Sequence, residues 1–450
     1  RRPELNSYLC AFMRASILHK FPPVSTPRAM QIFQVMRVGA VVLTSILLAK
    51  SRLSLAEIGV YETLLYLGTV AAFFWVNGLL QGLTPVYARL DEAGRKRFIF
   101  NSFLVFCAIA LGLFAVLILG KSVMLPLLTG RPDVAFFPLF CGYLLLNLPS
   151  LPVEYYYLLR NRPAYIIAWG AVTFGLQIAA LFLPVQLGYG LEGGLWALLV
   201  LAGLKWLWAS GLVWYWGEWA LDRPLLRQYL WFSWPLILNT LVANLTPLFD
   251  NWLVGWWYHD DATFALFRYG SRELPLATAL ATALGTAMIP RLVADPEAGM
   301  AEMKTRSRRM FHTLFPLTIV LLFFSDELFP LVFNPEFAGS ALIFNIYLLR
   351  TASRVLLPNS IVLAKGEARI ILWISVLEFL VKIALSLVFI RFWGLAGVAW
   401  AGVLAFWVEK AGLMWYLEAR LGVRTGEWLD WRWYLFYSLL LYATYFVWTI

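Results

Sequence analysis

Runs of about 20 mostly apolar residues follow one another along almost the whole chain, and this pattern constrains the fold more than any other feature. A helix of that length spans the hydrocarbon core of a bilayer. Of the 450 residues, 61% are hydrophobic and only 14% are charged, whereas an ordinary soluble domain has about 25% charged residues. A soluble protein of this length could not bury so much apolar surface. We therefore predict an all-α, polytopic membrane protein and exclude a soluble enzyme.

Thirteen such runs are found, twelve in the body of the chain and one at its C-terminal end. They cover residues 29–49, 57–87, 98–119, 134–158, 163–185, 188–214, 227–257, 262–292, 310–329, 337–364, 367–390, 394–416 and 431–450. Lys and Arg decide the orientation, because cytoplasmic loops of membrane proteins are rich in them. With the N-terminus inside, 23 of the 36 fall in cytoplasmic segments and 5 in outer segments. We predict a cytoplasmic N-terminus, and we attribute the net charge of +10 to these loops and not to a nucleic-acid partner.

The sequence also repeats itself at an offset of 204 to 205 residues. The matching pieces are Gly190–Ala197 with Gly394–Ala401, Phe140–Leu145 with Phe344–Leu349, Ile166–Trp169 with Ile370–Trp373, and Pro85 with Pro290. Each repeat holds six predicted spans, and because six is even the two halves share one orientation in the membrane. Two parallel six-helix lobes around a cavity are typical of a transporter. A duplicated scaffold without a cavity is the alternative.

The spans and the repeat divide the chain into four predicted parts. Residues 29–216 form the N-terminal six-helix lobe, residues 217–416 form the C-terminal six-helix lobe, and residues 417–450 carry the extra transmembrane helix. Residues 1–28 form a cytoplasmic segment. Within it, the apolar residues of 5–18 recur at helical spacing, which predicts an amphipathic helix lying on the inner membrane surface.

Three short motifs point to a family. They are Gly82–Arg89 at the end of span 2 with its counterpart Gly285–Arg291, the pair Asp250–Asn251 in span 7, and the Gly-Leu-x-Gly openings of spans 6 and 12. Together with the repeat, they resemble the flippases of the multidrug/oligosaccharidyl-lipid/polysaccharide exporter (MOP) superfamily. The resemblance is strongest to its polysaccharide-transporter branch, the O-antigen-type flippases. The thirteenth span departs from the twelve-span plan of that family.

The resemblance implies a MATE-like transporter fold whose two lobes open alternately to the two sides of the membrane. It implies a substrate, an undecaprenyl-pyrophosphate-linked oligosaccharide, that is moved across the bacterial inner membrane for cell-surface polysaccharide biosynthesis. Further implied partners are membrane lipids and the polysaccharide polymerase or glycosyltransferases of the same pathway. Neither a cofactor nor a metal ion is implied.

Charged residues inside the spans are the candidate functional residues, because an ionisable group at bilayer depth is costly. The candidates for binding the pyrophosphate and sugar are Arg37, Arg268, Arg272, Arg350, Arg354, Asn244 and Asn251. A planar guanidinium suits the two-pronged binding of a phosphate group. The spacing i,i+4 places Arg268 with Arg272, and Arg350 with Arg354, on shared helix faces. Candidates for ion coupling are Glu62, Asp250 and Glu273.

The same charges have a structural alternative, in which the arginines pair with Glu62, Asp250 and Glu273 and only hold helices together. For Arg37 a functional role is favoured, because no acid is near it in sequence. Other charges are predicted to be structural. Glu378 and Lys382 have the i,i+4 order of an intrahelical pair, while Lys205, Glu409 and Lys410 are predicted to reach towards the membrane surface.

Two other functions are weighed against a flippase. A cation-coupled multidrug exporter of the same fold would need a site lined by carboxylates and aromatic residues, and the arginines of the second half argue against it. A membrane glycosyltransferase, polymerase or ligase would need a large outer loop with catalytic acids, which this chain lacks. The phosphate-binding loop is also incomplete, since Ala115 stands where Gly120-Lys-Ser would require a glycine. We predict a transporter, not an enzyme.

Overall fold

The computed structural model describes residues 25–448, which are all-helical, with no strand in that range. The predicted amphipathic helix 5–18 lies outside the described residues. The α-helices are α1 (Thr26–Ala49), α2 (Leu55–Gly68), α3 (Phe74–Ala88), α4 (Glu92–Leu119), α5 (Lys121–Thr129), α6 (Phe137–Asn147), α7 (Val153–Leu159), α8 (Pro163–Gln186), α9 (Gly190–Trp216), α10 (Arg223–Ala243), α11 (Leu245–Tyr258), α12 (Asp261–Gly270), α13 (Pro275–Ala294), α14 (Pro296–Val332), α15 (Ala338–Leu348), α16 (Arg350–Arg354), α17 (Pro358–Ala364), α18 (Ala368–Leu421), α19 (Thr425–Trp428) and α20 (Trp431–Trp448). A π-helix, Thr69–Phe73, joins α2 to α3.

By length and hydropathy, nine helices in the described part can cross a membrane, or ten if α10 and α11, which meet at a bend of 52°, form one span. Three features explain the difference from the thirteen predicted spans. The predicted span 134–158 is interrupted by a 3-10 turn, Leu148–Ser150. Two others lie within the single element α18, and α20 is rich in Trp and Tyr, which lower its mean hydropathy. The number of crossings, including a thirteenth, stays a prediction.

The element α18 contains a break that is consistent with two spans. It has 54 residues, which as one straight helix would be about 80 Å long, against a hydrocarbon core of about 30 Å. At Gly394 the backbone leaves the helical region with φ 55° and ψ −133°, a conformation that essentially only glycine adopts without strain. The break lies at the boundary predicted between the eleventh and twelfth spans.

Local geometry recurs at the offset of the sequence repeat. Gly190, the repeat partner of Gly394, also has a positive φ, of 62°. Asp91 caps the N-terminus of α4 by accepting a hydrogen bond from the Gly94 N–H, and Asp295 does the same for α14 with the Ala298 N–H. A capping carboxylate satisfies a backbone donor that has no partner within the helix. The recurrence of such details supports an internal duplication.

The chain forms two compact units. Of the described residues, the first unit comprises those up to Leu53 together with Leu64–Leu125 and Pro132–Val242. The second comprises Ser54–Thr63, Pro126–Arg131 and the described residues from Ala243 onwards. The larger, N-terminal part of α2, and the end of α5 with the two residues that follow it, thus belong to the second unit. The predicted lobe boundary at residue 216 stays a prediction.

Close helix packing within the first unit gives a test of its structure. A Cβ at Gly78 on α3 would lie 2.4 Å from the Ile237 Cγ1 and 2.6 Å from its Cα, whereas one at Gly39 on α1 would meet no atom within 4 Å. We expect Gly78→Ala to lower the free energy of unfolding by about 1–3 kcal/mol, because overpacking moves backbone. The matched change Gly39→Ala should leave it unchanged or raise it slightly, since alanine favours helix. Thermal unfolding of the purified variants measures both, and equal melting temperatures would contradict the packing described here.

Candidate functional site

The charged side chains of the second unit gather where its helices are interrupted. Helix α12 ends at Gly270, and proline at the start of α13 begins a new helix after a four-residue gap, Ser271–Leu274. Arg272 and Glu273 lie in this gap. A second interruption separates α15, α16 and α17, and the short α16 begins with Arg350 and ends with Arg354. Arg272 thus lies in the first break and Arg268 in the last turn of α12, so the two do not share one helix face as predicted, because the helix ends between them.

Glu62 holds the first two arginines. Its Oε2 accepts a hydrogen bond from the Arg268 Nε at 3.0 Å, and its Oε1 accepts one from the Arg272 Nη2 at 3.1 Å. The Glu62 side chain is 2% exposed, while those of Arg268 and Arg272 are 26% and 31% exposed. The Arg272 guanidinium also lies over the Tyr269 ring, 4.7 Å from its centroid. The carboxylate is thus buried behind two guanidinium groups that stay accessible.

Glu273 holds the other two arginines in a second cluster of the same composition. Its Oε1 lies 2.6 Å from the Arg350 Nη1, and its Oε2 accepts a hydrogen bond from the Arg354 Nη2. Both guanidinium groups lie over the Phe406 ring, 4.6 and 4.8 Å from its centroid. Lys410 lies against the same ring at 4.9 Å.

The two clusters contain four arginines and two glutamates, so they carry an excess of two positive charges. An open cavity of about 940 Å³ adjoins the second cluster and is lined by Glu273, Thr278, Ala279, Thr282, Ala283, Thr286 and Ala287. These small and hydroxyl-bearing side chains form one face of α13. The second unit thus combines an excess of guanidinium groups with an accessible wall of small side chains and threonine residues.

We call the group of Glu62 with Arg268 and Arg272 the first arginine cluster. The group of Glu273 with Arg350 and Arg354 is the second arginine cluster.

Asp250, the third predicted coupling residue, belongs to a fully buried group. Its Oδ1 lies 2.7 Å from the Lys382 Nζ, and its Oδ2 accepts a hydrogen bond from the Tyr347 hydroxyl at 3.1 Å. The Lys382 Nζ also donates to the Val398 carbonyl at 2.8 Å. The intrahelical pair predicted between Glu378 and Lys382 is therefore wrong, because the ammonium of Lys382 is satisfied by α11 and by the chain after Gly394.

The remaining predicted residues have other positions. Arg37 lies on α1 in the first unit and is exposed, and no ion pair of its side chain is found among residues 25–448. The Asn251 Nδ2 donates to the Pro247 carbonyl at 2.7 Å, while Asn244 lies at the bend between α10 and α11. Their roles in binding stay predictions.

Several buried groups were not predicted as part of the site. Glu409 and Lys410 do not reach the membrane surface as expected, because both are 6% exposed and pair with each other at 3.2 Å. Asn359 donates to the same carboxylate at 3.1 Å. Phe406 and Tyr347 also went unnoticed. Phe406 lies on α18, where helical spacing from the arginines could not find it. Tyr347 is three residues before Arg350, whose guanidinium lies 5.7 Å from the Tyr347 ring centroid, so helical spacing could have found it.

Metal-binding side chains are not grouped in the part of the chain that the structure describes. Within the described range 25–448, no three His, Cys, Asp or Glu side chains are close enough to hold a metal ion. Each arginine of the clusters has five N–H donors, and the glutamates accept only some of them, so donors remain beyond those used in the ion pairs.

Solved structures with the same fold are transporters. A structure described as "Lipid II flippase MurJ, inward closed conformation" has a TM-score of 0.67 and 15% identity, covering 92% of this chain and 91% of that one. An inward-facing multidrug resistance MATE family transporter of the MOP superfamily has a TM-score of 0.57 and 15% identity, covering 96% and 98%. A MOP superfamily transporter from Pyrococcus furiosus has a TM-score of 0.56 and 14% identity, covering 87% and 93%. The fold is thus the MATE-like transporter fold, with several helices long and apolar enough to cross a membrane.

A family model then gives a narrower assignment. The model of the lipid II flippase MurJ matches residues 166–450, and the chain belongs to this family. A comparison with curated protein sequences found no match. The predicted superfamily is confirmed. The O-antigen-type branch is not confirmed, because the MurJ family is a different branch of the superfamily.

Proposed function

We propose that this flippase moves a polyprenyl-pyrophosphate-linked saccharide from the cytoplasmic to the outer leaflet of the bacterial inner membrane. Its N-terminus would be cytoplasmic, and its two lobes would open alternately to the two sides. The observation that carries the proposal is the excess of guanidinium groups in the arginine clusters, two for each carboxylate. A pyrophosphate diester has two negative charges, which would match the two positive charges in excess.

Ion pairing and substrate binding are compatible in this arrangement. A guanidinium that gives one N–H to a glutamate keeps other donors for a phosphate oxygen. The glutamate also fixes the side-chain rotamer, so less conformational entropy is lost when the ligand binds. The same arginines can therefore pair with the glutamates and bind the substrate. Arg37, Asn244 and Asn251 would add contacts to the phosphate or sugar.

The saccharide has two candidate identities. The family name specifies lipid II, while the sequence motifs resemble transporters of units for cell-surface polysaccharides. Both substrates share the polyprenyl pyrophosphate, which is the part that the arginines would bind. Polymerase or glycosyltransferases of the corresponding pathway would be partners, and membrane lipids would surround the lipid tail.

A cation-coupled multidrug exporter is the alternative, favoured by the likeness to a MATE transporter. Its cation would need an accessible carboxylate. Glu62 and Glu273 are each held by two arginines, and Asp250 is held by Lys382. A coupling cation at any of them would have to displace a guanidinium or an ammonium, so the arginine clusters favour the flippase.

The leaflet distribution of lipid-linked sugars in a depletion strain tests the proposed function. We expect lipid-linked precursors to accumulate on the cytoplasmic side and to return to normal when the wild-type chain is expressed. Separate analysis of lipid II and of polysaccharide precursors identifies the saccharide. An unchanged distribution together with increased susceptibility to drugs would instead establish the exporter.

A further inference from the structure

The two arginines of the second arginine cluster lie on the short helix α16. One backbone carbonyl of this helix does not receive the hydrogen bond that a continuous helix would give it. In a continuous α-helix, the Leu356 N–H would donate to the Ala352 carbonyl. Here it donates to the Ser353 carbonyl at 3.2 Å, as α16 ends. Ala352 is fully buried, and a buried carbonyl without a partner is costly.

The C-terminal helix α20 supplies the donor for this carbonyl. The Tyr434 hydroxyl donates to the Ala352 carbonyl at 3.0 Å. The Tyr434 side chain is itself 2% exposed. Its ring packs on α14, with centroid distances of 5.8 Å to Phe311 and 6.4 Å to Phe315. The hydroxyl thus comes from a buried ring that is held against α14.

Ala352 lies midway between the two arginines of α16. Residues two positions apart lie on nearly opposite sides of a helix, so Arg350 and Arg354 share one side and Ala352 lies on the other. A further hydrogen bond, from the Thr318 hydroxyl to the Thr351 hydroxyl at 3.4 Å, joins α16 to α14. The arginine segment is therefore held from behind while its guanidinium groups contact Glu273.

From these contacts we propose that α20 is a positioning element for the second arginine cluster and that Tyr434 is the positioning residue through which it acts. This proposal rests on the proposed function, in which Arg350 and Arg354 bind the pyrophosphate. The Tyr434 hydroxyl sets the place of the α16 backbone and, through it, the place of both guanidinium groups. Tyr434 itself does not touch the substrate.

The variant Tyr434→Phe removes only the hydroxyl, and Tyr437→Phe on the same helix is its matched control. The Tyr437 hydroxyl bonds to the Nδ1 of the exposed His312 at 2.9 Å, away from α16. Hydrogen exchange of the purified full chain, followed by mass spectrometry of a peptide spanning residues 348–358, reports on the arginine segment without any substrate. We expect Tyr434→Phe to accelerate exchange in this peptide about fivefold, the effect of one net hydrogen bond, and Tyr437→Phe to leave it unchanged.

Binding of farnesyl pyrophosphate to the same proteins tests the functional part. We expect Tyr434→Phe to weaken binding about fivefold, and Tyr437→Phe to bind as the wild type does. A merely structural role would lower the melting temperature without changing the affinity of the folded protein. Equal exchange in the two variants overturns the proposal, as does faster exchange with unchanged affinity. If Tyr434→Phe exchanges faster but the wild-type protein itself does not bind farnesyl pyrophosphate, the proposed function is contradicted. Tyr434 is then still the residue that holds α16.

Discussion

Replacing Arg350, Arg354 and Glu273 together by glutamine is expected to reduce transport at least about 100-fold while the protein still folds. Hydrogen bonds to charged groups contribute about 1.5–3 kcal/mol each, and two arginines are lost. Glu273 is included because removing the arginines alone would leave its carboxylate unpaired in the membrane, which destabilises the fold itself. Flipping of a fluorescent lipid-linked pyrophosphate in proteoliposomes measures the rate, and size-exclusion chromatography measures the folded amount.

The matched control is the double variant Arg306→Gln with Glu302→Gln, an ion pair at i,i+4 on α14 whose side chains are 49% and 31% exposed. It also removes an arginine–glutamate pair and should transport at the wild-type rate. A third variant, with Arg350 and Arg354 both changed to lysine, keeps the charge but loses the planar fork, and should be intermediate. Normal transport by the triple glutamine variant would show that the second cluster only joins helices.

Lys382→Met alone is expected to destabilise the second unit by about 3–5 kcal/mol. The change leaves the Asp250 carboxylate buried without its ammonium partner, and uncompensated buried charges have penalties of this size. The double variant Asp250→Asn with Lys382→Met should recover most of the stability, because neither charge remains. Thermal unfolding of the detergent-purified proteins measures the effect.

Lys365→Met serves as the control, because Lys365 is exposed and the change removes the same side chain from the surface. Its melting temperature should match that of the wild type. If Lys382→Met were as stable as Lys365→Met, or if the double variant were no more stable than Lys382→Met, the buried pair with Asp250 would not exist.

Patterns within single helices were sufficient to predict much of the fold and part of the candidate site. Hydropathy predicted the all-helical membrane fold, and the i,i+4 spacing correctly placed Arg350 and Arg354 on one side of a helix. The repeat also drew attention to Gly394, where α18 breaks. These predictions depend on residues that are near one another in sequence, or on the match of one segment with another. None of them requires knowledge of how helices pack.

Predictions failed where the outcome depended on packing between helices. Lys382 pairs with Asp250, more than 100 residues earlier, and not with Glu378 one turn away. The packing of α11 against α18 places the Asp250 carboxylate 2.7 Å from the Lys382 Nζ. Glu409 and Lys410 were placed near the surface from their position along a span, whereas the helix packing buries them. The branch of the superfamily was also missed, since short motifs shared by several branches cannot distinguish them.

The charge of the arginine clusters has a consequence for the energetics of a transport cycle. The repeat partners of their arginines in the first half, Thr63, Leu67, Leu146 and Ser150, are uncharged, so all four arginines belong to the second half alone. With a pyrophosphate bound, the clusters and ligand together would be nearly neutral, and the membrane voltage would act little on the loaded protein. After release, an interior-negative voltage of 100 mV would favour return of the empty clusters to the cytoplasmic side by at most about 4–5 kcal/mol, at about 2.3 kcal/mol per charge. The step driven by voltage would then be the resetting of the empty protein and not the movement of its cargo.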